Sequence, residues 1–452
     1  MKNIWTEYKD EKKRKQVEDF CTNYKNFLSN NKTERECTQF AIAEAQKKGF
    51  VNLVDVIKQN KKLKPGDKVF LSNMDKSIAL FVIGKKPLEE GMRIVGAHID
   101  SPRLDLKIKP LYESQGFCML DTHYYGGIKK YQWTALPLAM HGVIVKKDGS
   151  KVNYVFGEDD EAVLGISDIL PHLEKTPDKK DIKGEDLNVI AGNIPDDEAK
   201  EGKFKSFVLK VLKEKGIEEQ DFYSAEFEIV PAGKAKDFGL DRSMIFGYGQ
   251  DDKVCAFEAL KALLETKNPT YTSVCLLMDK EEIGSQGATG MAGQFFENAV
   301  AEVLNLCGDY SELKVRRALK NSLCLSSDVT AAVDPNYVAP FCTEIDAHFA
   351  GGISFQKYTG HGGKYSSSEA NAEFVAKLRK LLDDQKIFYQ FTEMGKVDEG
   401  GGGTIAMFLA KYGMEVIDAG TCVLNMHAPW EISSKVDIFE SFRCYKAFFV
   451  LD

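Results

Sequence analysis

The pattern of apolar and polar positions predicts alternating strands and helices over most of the chain. Runs at 93–97, 273–278 and 323–325 each end in polar residues, which is typical of buried strands in a mostly parallel sheet. Apolar residues at spacings of three and four, for example at 254–264, predict helices between such strands. The spacing Ser366-x-x-Glu369 predicts a capping box at the start of another helix. We therefore expect an α/β fold with a mixed, mostly parallel sheet flanked by helices.

The pattern changes in the middle of the chain. From Pro102 to about Pro231, short alternating strands are separated by glycine-rich turns and by a polar loop at 175–205. The alternation of strands and helices resumes near Ile245. We therefore expect a β-rich domain, residues 106–231, inserted between two parts of a larger domain, residues 1–105 and 232–452.

The composition of the 452 residues, 43% hydrophobic and 28% charged, is that of a globular protein with a large core. The formal net charge of -8 and the lack of a basic stripe argue against nucleic acid as a partner. The N-terminus is polar where a signal peptide is apolar, and no apolar stretch is long enough for a membrane span. The ten cysteines are spread singly without a Cys-x-x-Cys pair. These features predict a cytoplasmic protein with reduced cysteines and without membrane or nucleic-acid partners.

Side chains that can bind a metal follow five predicted strand ends. Two imidazoles and three carboxylates are what a pair of zinc-like ions needs. Each residue alone has a simpler interpretation as a core histidine, a helix cap or a turn residue, but their joint occurrence at strand ends favours a two-metal site. Adjacent carboxylates leaving a strand point in different directions, so one can bind a metal while the other acts as a general base. The five places are His98 with Asp100, Asp251, Glu281 with Glu282, Asp328, and His427.

Five motifs resemble those of the dinuclear zinc aminopeptidases typified by aspartyl aminopeptidase and vacuolar aminopeptidase I. They occur in the order found in that family and extend over nearly the whole chain. The resemblance implies a zinc-peptidase-like α/β domain interrupted by a dimerisation domain. The motifs are Gly96-Ala97-His98-Ile99-Asp100-Ser101-Pro102, Gln250-Asp251-Asp252, Asp279-Lys280-Glu281-Glu282-Ile283-Gly284-Ser285, Ser327-Asp328-Val329 with Asp334-Pro335-Asn336-Tyr337, and Asn425-Met426-His427.

The resemblance also implies roles for individual residues. Glu281 would be the general base, and Asp100 would orient His98. The cofactors would be two divalent ions, zinc as the first expectation and cobalt or manganese as alternatives. The implied metal ligands are His98, Asp251 as the bridging residue, Glu282, Asp328 and His427.

The same resemblance implies peptide substrates and a homo-oligomer, in which dimers assemble into a closed dodecamer. His172 matches a family histidine that reaches the active site of a neighbouring subunit. Lys357, or Tyr358 without a one-residue shift, aligns with the lysine that the aspartyl branch uses for an acidic side chain. Ala331 and Asp334 stand where that branch has histidines, so neutral or basic substrate side chains are favoured over acidic ones.

Hydrolysis of the N-terminal residue of peptides is the function that these features predict. A deacylase or carboxypeptidase on the same metal scaffold is an alternative that the ligand set alone leaves open. A catalytically idle scaffold or cargo protein is a second alternative. The presence of Glu281 beside every predicted ligand argues against an idle protein, because an idle descendant could lose the base at little cost.

Overall fold

The computed structural model describes residues 3–158, 162–174 and 182–452. The chain divides into two compact units. The first comprises Met1–Asp100, Ala235–Met426 and Glu431–Asp452, and the second comprises Ser101–Lys234 together with His427–Trp430. The units therefore change at residues 100 and 234, where the sequence predicts changes at 105 and 231. The sequence gives no sign that His427–Trp430 groups with the second unit.

Helices and strands alternate along the first unit, and short strands dominate the second. The helices are α1 Glu11–Asn30, α2 Glu34–Lys47, α3 Leu53–Lys58, α4 Lys203–Glu214, α5 Gln250–Glu265, α6 Phe295–Cys307, α7 Glu312–Lys320, α8 Ala372–Asp384, α9 Ala406–Ala410 and α10 Lys435–Phe448. The strands are β1 Val51–Asn52, β2 Lys68–Asn73, β3 Ser77–Val82, β4 Met92–His98, β5 Arg103–Ser114, β6 Phe117–Tyr125, β7 Leu138–Val145, β8 Lys151–Phe156, β9 Val189–Gly192, β10 Ala225–Pro231, β11 Lys236–Phe238, β12 Met244–Gly247, β13 Thr272–Met278, β14 Leu323–Ser326, β15 Thr330–Ala331, β16 Ile353–Gln356, β17 Tyr389–Thr392, β18 Glu415–Gly420, β19 Cys422–Leu424 and β20 Glu431–Ser434.

The main sheet of the first unit has nine strands in the order β1-β2-β3-β13-β4-β14-β18-β16-β17. Its central strands β13, β4, β14 and β18 run parallel, so their carboxyl ends share one edge. Every residue of β4 and β13 is buried, because these strands are covered on both faces. The predicted α/β fold with a mixed, mostly parallel sheet is confirmed.

Helices cover the two faces of this sheet in separate layers. Alternate residues of β4 point to opposite faces, so Val95 and Ala97 join one core while Met92 and Ile94 join the other. Residues of α1, α2, α5, α8 and α10 build the first core, and residues of α3, α6, α7 and α9 build the second. Among the described helices, none is long and apolar enough to cross a membrane.

Two smaller sheets complete the described parts of the chain. A five-stranded sheet of the first unit has the order β11-β12-β20-β19-β15. The second unit contains a six-stranded sheet in the order β8-β7-β10-β5-β6-β9, in which all the strand pairs are antiparallel. The second unit is therefore β-rich, and α4, with 12 residues, is the longest helix among its described residues.

The predicted helix start at Ser366 is wrong. Helix α8 begins only at Ala372, with Asn371 as its N-cap residue. Ser366 has a φ of 61° and directly follows a turn that backbone hydrogen bonds between His361 and Tyr365 close. Glu369 interacts with Lys364 at 3.0 Å instead of capping a helix. Local turn contacts thus override a spacing that is typical of a capping box.

The ten cysteines all have free thiols. Eight are buried, and Cys307 and Cys342 are half-buried. Their placement agrees with the predicted role of reduced core residues.

Candidate metal centre

His98, the last residue of β4, lies at the centre of a cluster of carboxylates in the first unit. Its side chain is only 1% exposed. Nδ1 lies 3.1 Å from the carbonyl oxygen and 3.4 Å from the Oδ1 of Asp100. Nε2 lies 3.1 Å from the Oδ1 of Asp251, 3.8 Å from the Oδ1 of Asp328 and 3.9 Å from the Oε2 of Glu281. The structure therefore brings five of the predicted site residues together.

Strand register explains how residues distant in sequence meet here. Ser326 of β14 pairs with Gly96 of β4, so Asp328 extends from β14 to the level of His98. Asp251 lies in the first turn of α5, just after β12. The carboxyl edge of a parallel sheet thus supplies the imidazole and one of its carboxylates, and a helix start supplies another.

The tight turn after β13 carries the two adjacent glutamates. Glu281–Ile283 forms a single 3₁₀ turn between Lys280 and Gly284, which both have left-handed backbone angles. The backbone N–H groups of Glu281 and Glu282 donate to the two carboxylate oxygens of Asp100 at 3.1 and 3.2 Å. Asp100 therefore contacts His98 and also fixes the turn that carries the predicted base.

The turn has a second anchor at its start. The carboxylate of buried Asp279 accepts a hydrogen bond from the Thr289 hydroxyl at 2.5 Å, and the Asp279 N–H donates to Ser77 Oγ. Burial, with the neighbouring charges of Glu34 and Asp100, raises the pKa of Asp279 to about 6.

The electrostatics of the cluster suit a cation. Burial raises the pKa of Asp328 well above its usual value, and the charges of Glu281 and Asp251 raise it further, although His98 opposes them. Burial would lower the pKa of His98, but hydrogen bonds to Asp100 and Asp251 outweigh it and raise that pKa. Crowded buried carboxylates are costly unless a positive charge offsets them.

The donor set also fits a metal ion in its chemistry. One ligand atom from each of His98, Asp251 and Asp328 lies within 4.8 Å of the others. Asp251 and Glu282 have ligand atoms within the same distance of each other. Imidazole nitrogen with carboxylate oxygens is a ligand set that Zn²⁺ accepts.

His427 and His172 both belong to the second unit. His427 follows β19 in a left-handed backbone conformation, and its Nδ1 lies 3.0 Å from the carbonyl oxygen of Gly127. A hydrogen bond from Nδ1 to that carbonyl leaves Nε2 able to bind a metal. His172 lies exposed in a turn at 171–173. The predicted roles of both histidines stay predictions.

Strand register places the backbone of Lys357 away from the level of His98 in the sheet. Strand β16 runs antiparallel to β18, with Gln356 opposite Asp418, so Lys357 continues toward the amino end of β18. Across the paired strands, Lys357 is level with Val95, which lies three residues, about 10 Å along the strand, before His98. The Lys357 side chain is half-exposed, and its Nζ lies 3.9 Å from the Oε1 of Glu369.

Two further acidic residues contact the cluster and were not predicted as part of it. Asp252 accepts a hydrogen bond from the backbone N–H of His98 at 3.3 Å. Glu431, the buried first residue of β20, accepts one from the backbone N–H of Asp251 at 3.0 Å. Asp252 could have been found from its position beside Asp251, whereas nothing in the sequence around Glu431 indicates its contact.

The fold and the site together define a metal-dependent hydrolase of the α/β class, with its centre at the carboxyl edge of the sheet. The sequence profile of the aminopeptidase I zinc metalloprotease family, M18, matches residues 27–449, and the chain belongs to this family.

Curated relatives and solved structures agree with this assignment. A probable M18 family aminopeptidase 1 of Clostridium acetobutylicum is 56% identical over 456 residues, which cover 99% of this chain and 97% of that protein. Aminopeptidase I of the same organism has a solved structure that is 52% identical, with a TM-score of 0.92, covering 100% of this chain and 99% of that chain.

Two further structures show how far the likeness in fold extends. The M18 aminopeptidase of Thermotoga maritima has a TM-score of 0.94 at 42% identity, covering 100% of this chain and 99% of that chain. The S. cerevisiae mApe1 dodecamer has a TM-score of 0.76 at 20% identity, covering 96% and 97%. The predicted aminopeptidase family, fold and hydrolase activity are confirmed, and the idle-protein alternative is not favoured.

Proposed function

We propose that the chain removes the N-terminal residue of peptides at a centre of two divalent metal ions, with Glu281 as general base. The observation that supports this most directly is the convergence of His98, Asp251 and Asp328 within 4.8 Å at the carboxyl edge of the sheet. Membership of a zinc metalloprotease family makes zinc the expected ion.

Five residues would hold the two ions. His98, Asp251 and Asp328 would hold one ion, and Asp251, Glu282 and His427 would hold the other. When bound, the ions polarise the scissile carbonyl group and lower the pKa of a bound water molecule. Asp100 holds the His98 ring through Nδ1, which leaves Nε2 facing the cluster.

Glu281 would move the proton during hydrolysis. Its Oε2 lies 3.9 Å from the His98 Nε2, so the carboxylate faces the ligand cluster. Glu281 accepts a proton from the attacking water and returns it to the leaving amine. Asp100 fixes the backbone of this residue, so the carboxylate starts from a defined position.

The substrate side chain would be neutral or basic. Ala331 offers no charge in β15, and Lys357 lies away from the cluster by strand register. Asp398 and Glu399 are exposed acidic residues beside the glycines 400–403. A buried acidic side chain of the substrate would need a cation as partner.

A panel of aminoacyl substrates with the zinc-loaded protein tests both proposals. We expect release of free amino acids from unblocked peptides and none from N-acetylated ones. We also expect a higher kcat/KM for Leu, Met and Lys substrates than for Asp and Glu substrates. Release from blocked peptides would favour the deacylase alternative. A higher kcat/KM for Asp or Glu substrates would overturn the proposed side-chain preference and would favour Lys357 as the cation that binds an acidic side chain.

The second unit would build an oligomer interface in a cytoplasmic protein. Exposed apolar residues of the segment 162–174, among them Ile169, Leu170 and Leu173, flank His172 and support a role for this segment in self-association. The dodecamer of the S. cerevisiae relative supports a closed particle built from dimers. The free thiols of the ten cysteines support a reducing compartment.

A further inference from the structure

Tyr445 of α10 is a fully buried tyrosine whose hydroxyl group joins two strand ends. Its Oη lies 2.5 Å from the Oγ of Ser327 and donates to the carbonyl oxygen of Ala419 at 2.8 Å. A phenol carries a single proton, so the Ser327 hydroxyl must be the donor to Tyr445. The order of donors is therefore fixed from Ser327 through Tyr445 to Ala419.

Ser327 is held a second time through its backbone. Its N–H donates to the carbonyl oxygen of Gly96 at 2.5 Å, which continues the pairing of β14 with β4 by one residue. Gly96 lies two residues before His98. Ser327 is thus tied to the strand that carries His98 and, through Tyr445, to the end of β18.

The residue after Ser327 is Asp328, and its backbone is confined as well. A Cβ atom at Gly420 would lie 2.0 Å from the carbonyl oxygen of Asp328, so this close approach requires glycine. Gly420 directly follows Ala419, the residue that accepts the hydrogen bond from Tyr445. The end of β18 therefore contacts Asp328 directly and holds its neighbour through the tyrosine.

We propose that Tyr445 is a positioning residue that sets Asp328 as a metal ligand, through Ser327. This inference rests on the proposed function, because it requires Asp328 to bind one of the two ions. Groups that hydrogen-bond a metal ligand directly are typically worth 10- to 100-fold in metal affinity, so we expect the lower end of this range for a group that acts through the neighbouring residue. The effect should fall mainly on the ion held by His98 and Asp328, because Tyr445 does not support the turn that carries Glu282.

Zinc titration of the metal-free protein against a fluorescent chelator tests the inference. In Tyr445→Phe we expect about tenfold weaker binding of one ion and nearly unchanged binding of the other. Ser327→Ala should give the same result, and the double variant should be no worse than either single variant, because both changes break one chain of hydrogen bonds.

Tyr8→Phe is the matched control. This variant likewise removes the hydroxyl group of a buried tyrosine, but the Tyr8 hydroxyl donates to Glu440 of α10, which lies outside the ligand cluster. Thermal unfolding of the metal-free variants measures the structural cost of each change. The inference would be overturned if Tyr445→Phe bound both ions as tightly as Tyr8→Phe does. It would also be overturned if Tyr445→Phe lowered the affinity for both ions equally. If Tyr445→Phe does not fold, the zinc affinities of Ser327→Ala decide by the same criteria.

Asp328→Asn separates this inference from the proposed function. Loss of one ion in Asp328→Asn, combined with wild-type binding in Tyr445→Phe and Ser327→Ala, would reject only the role of Tyr445. Wild-type binding of both ions in Asp328→Asn would reject the ligand set itself, and the positioning role with it.

Discussion

The Oδ1 of Asp100 accepts a hydrogen bond from the backbone N–H of Glu281 at 3.1 Å, across 181 positions of sequence. The same carboxylate faces Nδ1 of His98. Because one side chain contacts both the proposed ligand and the proposed base, the position of the base depends on the position of the ligand.

Asp100→Asn should therefore lower metal affinity and turnover together. An amide has one acceptor oxygen, so one of the two N–H groups at Glu281 and Glu282 would face an NH₂ group instead. We expect a loss of about 10- to 100-fold in kcat/KM and in zinc affinity. Steady-state kinetics and zinc titration measure the two effects, with Asp384→Asn as an exposed control. Unchanged zinc affinity in Asp100→Asn would contradict the ligand-orienting role.

Glu281→Gln should keep both ions and lose activity. The change removes a proton acceptor and no proposed ligand, so we expect kcat to fall by about 10²- to 10⁴-fold. Metal analysis of the purified variant should still find two ions per chain. Glu282→Gln is the matched comparison, since it removes a proposed ligand on the same turn and should lower metal content. Activity near the wild-type level in Glu281→Gln would remove this residue from the mechanism.

His427→Ala should lose one ion and retain the other. The variant deletes one proposed ligand, whereas His98, Asp251 and Asp328 are untouched. Metal content measured after dialysis at low zinc concentration should fall toward one ion per chain. His348→Ala offers a control histidine, which contacts the carbonyl oxygen of Thr343. Two tightly bound ions in His427→Ala would show that the ligand set is wrong.

Asp437 should make stability depend on pH. Burial raises its pKa from 3.8 to about 7, although the N–H groups of Ala350 and Gly352 donate to it. Its folded pKa lies above the unfolded value, so the folded state binds more protons between pH 4 and 7. The free energy of unfolding therefore falls as pH rises through that range, by at most about 1.4 kcal/mol per pH unit for this group.

Comparison with Asp437→Asn isolates this contribution, because an amide does not titrate. Urea unfolding of the two metal-free proteins at pH 5, 6, 7 and 8 should show the wild type losing stability relative to the variant up to about pH 7. The difference should then level off. A difference that stays constant from pH 5 to 8 would show that Asp437 is ionised throughout this range in the folded protein.

Self-association should depend on the second unit. Light scattering at micromolar concentration should find dimers or a larger closed particle. If His172 serves the active site of a neighbouring subunit, His172→Ala should lower activity without changing the particle mass. Mixing His172→Ala with Glu281→Gln should then restore part of the activity, since each subunit supplies what the other lacks. A fully active monomer would end both proposals.

Much of the fold was predictable because its signals are local. The apolar run that becomes β13 ends just before the turn carrying Glu281, so the strand and the place of the glutamates follow from one short segment. Lys357 shows the limit of such reasoning. Whether its strand runs parallel or antiparallel to β18 depends on pairing with distant residues, and the antiparallel choice places the lysine away from the cluster.

Contacts that support the site were harder to predict for the same reason. Tyr445 and Ser327 are 118 positions apart, and neither carries a charge or a motif that indicates the other. Glu431 meets the Asp251 backbone because β20 pairs with β12, with Glu431 opposite Gly247. The sequence indicates the residues that can bind metal, whereas their supports depend on tertiary packing.

The interruption of the first unit has a consequence for synthesis on the ribosome. Strand β4 emerges early, but both of its neighbours, β13 and β14, are made only after the whole of Ser101–Lys234. Until then β4 has two unpaired edges, which are prone to wrong pairing. The inserted segment can become compact first, whereas Met1–Asp100, the early part of the larger unit, cannot complete its sheet until the later strands are made. Metal binding by His98, as proposed above, would therefore be a late event of biogenesis, because its proposed partners Asp251 and Asp328 are translated only after the inserted segment. The newly made chain would then be unable to cut peptides while most of it is being synthesised.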